Sequence, residues 1–566
     1  MKRTPSIWAE HLVDGVFCPE FPENSMYEFL VEKTASALED IAIEFEGVQT
    51  TYAEFLSQID AVAASLLALG VKKGDVITIA SPNIPQAVIT IYAANKVGAV
   101  SNMLHPLLTA AEMQYHVENT ESKAFFVLDK LYEKLEGIKW TDQQPVIVLF
   151  SVADALTFPK NLFVRRVIPK NRPDGLFLWR EFLKNRAPDP VFPASSPDDL
   201  ALILYSGGTT GAQKGVCLTN WNVNCYAVQH REVGAGHQRL RSLAVMPIFH
   251  GLGLLAAIHG MLACCFHLYL VPAYDAQKCN RLIFKNRIES IMAVPAIYDA
   301  LIHSDEMKTK DYRFLKLIVC GGDKLSARTE RTFNAYMEKI NSPTRILQGY
   351  GMTECAAGCL CNAMFKLKEG TVGIPYPDAE LVIVEPGTEK ELPVGTPGEL
   401  CVCSPSVMKG YYKDEAATQK ALHVHVDGKT WLHTGDVFSV DEDGFYTFHN
   451  RLSRMLVVNG YNVYPEMVEN ALQSIPGVSK SCVIGKPARA GGERIIAVVC
   501  LSQAGLSPAD IRKECKTRLP EYAVPHQVMI RDDLPVTKVG KVDFQRLAKE
   551  IAYDGSRNPA ENSDNL

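Results

Sequence analysis

Short apolar runs alternate with longer amphipathic ones along most of this chain, and that alternation limits the fold more than any other feature. "LALILYS", "SLAVMPI" and "LKLIVCGG" read as buried strands. "TNWNVNCYAVQHRE" and "SARTERTFNAYMEKI" read as helices, the first with a Thr/Asn cap, the second capped by Ser326 with Glu330 early in its first turn. Strand–helix–strand units build parallel sheets, and a parallel sheet is covered on both faces. The expected fold is α/β, with a large N-terminal domain of mainly parallel sheets covered by helices. "NRAPDPVFPASSPDD", ahead of the first of these strands, reads as a linker. Near residue 450 the texture changes. "MLVVNGYNVY" reads as a strand with a turn, "PEMVENALQSI" as a helix with Pro465 in its first turn, "KSCVIGK" and "RIIAVVCLS" as strands, and "SPADIRKECKTRL" as a capped helix. That is a small α+β C-terminal domain. The expected boundaries are 1–450, 451–548, and a polar, disordered tail over 549–566.

Bulk chemistry closes off other classes. Hydrophobic residues make up 47% of the 566, enough for a sizeable core. The 58 basic and 64 acidic side chains leave a net charge of −6, which argues against a nucleic-acid partner held by a basic face. Cysteines are scattered without a C-x-x-C pair, and "MKRTPSIWAEHL" has no apolar stretch behind its basic residues, so reduced thiols and a cytoplasmic protein are expected. Cys355, Cys359 and Cys361 read as small buried thiols. "LGLLAAIHGMLACCFHLYLVP" is long enough to span a bilayer, but its histidines, glycines and strand-like end read as a buried helix followed by a buried strand. At most peripheral membrane contact is expected, with the chain a monomer or a homodimer. His423 and His425 alternate as strand neighbours do, with no third metal ligand evident nearby.

"YSGGTTGAQKG", Tyr205 to Gly215, is the first stretch with chemistry in it. Lys214 lacks the flanking residues of a Walker loop. The physics of anion binding is still present. Glycines let consecutive N–H groups approach an anion, hydroxyls at Ser206, Thr209 and Thr210 add donors, and Lys214 adds a charge. Taken alone, the stretch suits a phosphate cradle and an ordinary surface loop equally.

The loop resembles the phosphate loop of the adenylate-forming superfamily, which includes acyl-CoA synthetases, adenylation domains and luciferases. Its G-G-T-T-G version resembles that of bacterial long-chain fatty-acyl-CoA ligases. "QGYGMTE", "CGGDKLS", "WLHTGD", "DGFYTFHNR" and "LPVTKVGKVD" follow in the family's order, and "TTYAEF" and "GVKKGDVITIASPN" extend the likeness toward the N-terminus. The resemblance implies that Ser206, Gly207, Gly208, Thr209, Thr210, Gly211 and Lys214 meet the ATP phosphates. It implies that Gly322 and Asp323 lie at the adenine, with Gln348, Gly349, Tyr350 and Gly351 lining the nucleotide. Thr353 would meet the α-phosphate and Glu354 would bind Mg2+, with Thr209 as a weaker metal ligand. Asp436 would take the ribose hydroxyls and Arg451 would contact ribose and phosphate. Gly460 and Tyr461 would line the path of the coenzyme A thiol, and Lys541 would be the catalytic lysine of a mobile small domain. Asn450 stands where the family usually has glycine, and Ser453 where its hinge residue is usually Asp or Lys.

What the resemblance implies is an ATP-, Mg2+- and coenzyme A-dependent ligase. A carboxylate attacks the α-phosphorus, pyrophosphate leaves, and the thiol then displaces AMP. In "MPIFHGLGL" His250, expected with Thr353, Glu354 and Lys541 among the catalytic residues, occupies the place where amino-acid-activating relatives carry aspartate, which disfavours an amino-acid substrate. Small residues behind it, Ala256, Ala257, Gly260 and Ala263, suit either an alkyl chain or helix packing. A medium- or long-chain fatty acid is therefore expected, with an aryl or alicyclic acid, or a separate acyl-carrier protein as the acceptor, as alternatives. Gly251-x-Gly253-x-x-Ala256 also mimics the fingerprint of an NAD(P)-binding oxidoreductase.

Overall fold

The structure is a computed structural model describing residues 20–141, 144–164, 166–169, 172–206, 213–235, 239–454, 456–458, 461–487, 493–502, 505–536 and 542–557. It divides into two compact units. One takes Met1–Leu381, Cys401–His433 and Asp443–Tyr446; the other takes Val382–Leu400, Thr434–Glu442 and Thr447–Leu566.

The larger unit contains an eight-stranded sheet in the order Gly410–Tyr411, Lys214–Thr219, Leu200–Ser206, Val100–Leu104, Val76–Ala80, Ala124–Leu128, Val146–Phe150, Leu176–Leu178. From Leu200–Ser206 onward every pairing is parallel. The strands Ile346–Tyr350, Leu317–Cys320, Ser290–Ala293, Arg241–Ala244, His267–Leu270 and Ile41–Phe45 form the parallel centre of a second, nine-stranded sheet. In parallel strands all carboxyl ends fall on one edge, and ligands of such sheets bind there. The segments leading to His250, to Gly322–Asp323 and to Thr353–Glu354 all leave that edge of the second sheet.

Local sequence explains the elements. Thr51 caps Tyr52–Ala68, Thr219 caps Asn220–His230 and Ser326 caps Ala327–Lys339, each by accepting the backbone N–H three residues on, which satisfies a donor the helix cannot. The apolar run 252–272 forms a π-helical and α-helical segment, Leu252–Ala263, then the strand His267–Leu270. Among the described residues no helix is long and apolar enough to cross a membrane. One difference bears on the site. Between the glycine-rich segment and the helix Asn220–His230 lies a strand not expected from the sequence, Lys214–Thr219, antiparallel to Leu200–Ser206. Val216, Cys217 and Leu218 are buried there as a third sheet partner requires.

The smaller unit has the antiparallel pair Val478–Pro487 and Glu493–Leu501, with Gln527–Ile530 parallel to the latter. Alternation along the pair sends Val483, Ile495, Ala497 and Val499 into one core, and Cys482, Ile484, Ile496 and Val498 into another. The helix Phe544–Arg557 covers the second core through Leu547 and Ile551, so it continues well into the segment read as a tail. Residues 558–566 lie outside the described residues.

Candidate active site

Antiparallel register sets Ser206 opposite Lys214, so the two ends of the glycine loop are fixed side by side. Gly207, Gly208, Thr209, Thr210 and Gly211 lie outside the described residues, as do Gly460 and Lys541. Tyr205, at the end of its strand, is buried with its ring 4.3 Å from that of His116.

Glu354 sits in a single tight turn, Thr353–Cys355, after the strand Ile346–Tyr350, and is only 5% exposed. Its Oε1 accepts a hydrogen bond of 2.8 Å from the Tyr411 hydroxyl. The Tyr411 ring lies under the Lys214 ammonium, 4.8 Å from ring centroid to Nζ. Tyr411 is held by pairing with Val216, and Met408 N–H donates to the Glu354 carbonyl at 2.8 Å. One phenol thus connects the cation at the end of the glycine-rich segment to the buried carboxylate. Burial first, and then the charge of Glu354, pushes the Tyr411 phenol above its ordinary pKa, so it remains a proton donor. Nothing local marks Tyr411 in the sequence; the signal is the pairing of "GYY" with the strand after the glycine loop, nearly two hundred residues earlier.

The turn around Glu354 is strained and closely packed. Ala356 has φ +61 and ψ −63, and Ala357 N–H donates back to Cys355 O at 2.7 Å, a tight three-residue turn that an L-residue rarely adopts. A Cβ on Gly351 would stand 2.0 Å from the Ala357 carbonyl oxygen, and one on Gly251 would stand 2.2 Å from that of Ala356. Gly251 is therefore used for contact with the Glu354 turn. A dinucleotide's pyrophosphate would need the space that the Ala356 carbonyl fills, which removes the oxidoreductase reading.

Of the other residues in this unit, Gln348 is buried, Tyr350 and Thr353 are half-buried, and Gly349 lies against Leu360 O. Gly322 adopts φ +76, and the exposed Asp323 accepts from Lys324 N–H through Oδ1. His250, half-buried, has its ring 4.8 Å from Phe249 and 6.4 Å from His105. Ala256, Ala257 and Gly260 are buried, and a Cβ on Gly260 would meet His230 at 3.3 Å. In the smaller unit Asp436 is 6% exposed and its Oδ1 lies 3.5 Å from Arg451 Nε. Asn450 is buried, and Tyr461 opens the strand Tyr461–Val463.

Two antiparallel strands that lead into and out of the glycine-rich segment, with Lys214 and the buried Glu354 carboxylate joined through Tyr411, are the arrangement that the comparisons place in a class of nucleotide-activating enzymes, the AMP-binding enzymes. The profile of the family described as AMP-binding enzyme matches residues 31–412, and that of the AMP-binding enzyme C-terminal domain matches residues 467–541. The chain is 30% identical over 544 residues to a long-chain-fatty-acid–CoA ligase of Bacillus subtilis, covering 94% of this chain and 95% of the relative. It is 28% identical to the enzyme of the same name from Escherichia coli O6:H1, covering 93% and 94%. Among solved structures, ATP-bound MatB from Rhodopseudomonas palustris superposes with a TM-score of 0.82 at 26% identity, covering 94% of this chain and 99% of that one. An anthranilate CoA ligase, AuaEII, in complex with anthranoyl-AMP shares the fold with a TM-score of 0.81 at 21% identity, covering 95% and 99%. The chain belongs to the AMP-binding enzyme family. It is an enzyme of the AMP-forming acid–thiol ligase type, with ATP, coenzyme A and a small carboxylic acid as the reactants this implies.

Proposed function

We propose that this enzyme joins medium- or long-chain fatty acids to coenzyme A through an acyl-adenylate, in the cytoplasm. The observation that supports it most is the chain of contacts Lys214–Tyr411–Glu354 at the mouth of the glycine loop. Bringing a carboxylate to a polyphosphate opposes like charges, and the remedy is fixed positive charge and donors aimed at the oxygens. Ser206, Lys214 and the loop amides supply these donors. Glu354 and, more weakly, Thr209 would hold Mg2+, since carboxylate and hydroxyl oxygens are the donors that ion prefers; when bound it neutralises phosphate charge. Thr353 donates to the α-phosphate; Gln348 to Gly351, Gly322 and Asp323 border the base. Asp436 accepts from the ribose hydroxyls and Arg451 steadies it. Lys541, brought in by the smaller domain (451–548), stabilises the charge that develops on the α-phosphate, and Gly460 and Tyr461 then border the thiol's approach.

His250 offers no counter-charge to an α-amino group, and the long-chain enzymes are the relatives quoted above at the highest identity. A second reading, an aryl acid, is favoured by the ring cluster of His105, Phe249 and His250, which would stack on a flat substrate. A pyrophosphate-release assay over straight-chain fatty acids of rising length, benzoate and cyclohexanecarboxylate, with and without coenzyme A, separates them. The fatty-acid reading expects kcat/KM to rise with chain length. A maximum at benzoate would replace it with the aryl reading, and acceleration by a purified carrier protein in place of coenzyme A would reassign the acceptor.

A further inference from the structure

The hairpin Leu422–Val424 and Thr430–Val440 carries a side-chain cluster that the ligase chemistry does not use. Its register pairs Leu422 with Leu432 and His423 with Trp431. Val424 and Val426 face outward, at 68% and 98% exposure, so the alternate residues His423 and His425 face inward. Of these two, His425 has further candidate ligands beside it that the sequence does not show: His433, on the paired strand, and Cys401, fully buried on the strand Gly398–Cys403.

His425 Nε2 and His433 Nε2 point at each other across 3.0 Å. One ligand atom from each of Cys401, His425 and His433 lies within 4.8 Å of the others. Tetrahedral zinc with its usual bond lengths sets two nitrogens about 3.4 Å apart and nitrogen and sulfur about 3.6 Å apart, so the two nitrogens, now 3.0 Å apart, would open by about 0.4 Å and the sulfur, within 4.8 Å of them, would close by about 1.2 Å at most. The rings are already oriented. His425 stacks on Trp431 at 5.3 Å, the His423 ring lies 4.3 Å from that of His433 and tilted against it, and Trp431 Nε1 donates to Asp427 at 3.2 Å. Two imidazole nitrogens facing at 3.0 Å must share a proton or a cation between them, and a thiol and two imidazoles select a borderline-soft metal over Mg2+.

We propose that Cys401, His425 and His433 form a binding site for a borderline-soft divalent cation, zinc above all, that fastens the hairpin to the neighbouring strand, with the fourth position left to water. The test is titration of the full-length, tag-free, reduced protein with Co2+, which reports its ligands optically. One tightly bound equivalent is expected, with a thiolate-to-cobalt charge-transfer band and visible bands of tetrahedral strength, all displaced by Zn2+. Cys401→Ser should abolish the charge-transfer band. His433→Gln, at a half-buried position less prone to disturb folding, should weaken binding by more than the roughly 10–100-fold that loss of an outer-shell partner brings. Circular dichroism of each variant checks that it folds. Absence of a thiolate band in wild type, or a band and affinity unchanged in His433→Gln, would overturn the site.

Discussion

Replacing Tyr411 with phenylalanine removes one hydroxyl and keeps the ring under Lys214. The lost bond is 2.8 Å long and ends on a carboxylate that is 5% exposed, where no bulk water is at hand to replace the donor. Hydrogen bonds to charged groups are worth about 1.5–3 kcal/mol, equivalent to roughly 10- to 150-fold in rate. Because Glu354 is assigned to the metal–phosphate side of the reaction, the loss should fall on adenylation. Under single-turnover conditions kcat/KM for ATP should drop by that factor, and the Mg2+ concentration for half-maximal rate should rise. Thioester formation from supplied acyl-adenylate should change little, and urea denaturation should show whether the fold itself has weakened. A Tyr411→Phe enzyme with wild-type adenylation and wild-type Mg2+ dependence would refute the role given to the Lys214–Tyr411–Glu354 contacts.

Lys541→Ala should slow adenylation by roughly 100- to 1,000-fold or more and spare the thioester half-reaction, measured by pyrophosphate release and by coenzyme A consumption from synthetic acyl-adenylate. Gly351→Ala places a methyl 2.0 Å from the Ala357 carbonyl oxygen, where backbone must shift; about 1–3 kcal/mol of stability should be lost in urea denaturation, together with activity, because the Glu354 turn moves. His259 is fully buried, and burial lowers its pKa from 6.5 to about 3. Between these values the unfolded chain binds the proton that the folded chain refuses, so this contribution to stability is complete above pH 6.5 and is lost as pH falls, by up to about 1.4 kcal/mol per unit. His259→Gln should flatten the acid side of the stability–pH profile by that slope.

The parts of the fold visible in the sequence were those set by local chemistry. The strand Leu200–Ser206, the Ser326 cap and the helix Pro465–Gln473 each announce themselves through composition and a capping or proline residue within a few positions. The strand Lys214–Thr219 did not, because Gly215 and Cys217 have weak strand preference and the pairing with Leu200–Ser206 supplies what the residues lack. The helix Phe544–Arg557 outlasted the polar composition of its end, because the apolar stripe through Leu547 and Ile551 docks on the sheet. "QGYGMTE" brings Glu354 forward as a candidate, but nothing in the sequence shows its partner Tyr411 or the Cys401–His425–His433 grouping. Their partners arrive from distant strands, and only the register of those strands makes neighbours of them. The same holds for Gly251, whose spacing imitates a dinucleotide fingerprint until the Ala356 carbonyl is seen against it.

An enzyme of this type cleaves ATP between its α- and β-phosphates in a reaction that requires a carboxylic acid. Chromatography of the nucleotide products after incubation with Mg-ATP and a long-chain fatty acid, with coenzyme A present, tests it directly. AMP and pyrophosphate should appear in step with acyl-CoA, with no turnover when the acid is omitted. ADP and inorganic phosphate as products, or ATP cleavage indifferent to any acid, would contradict it.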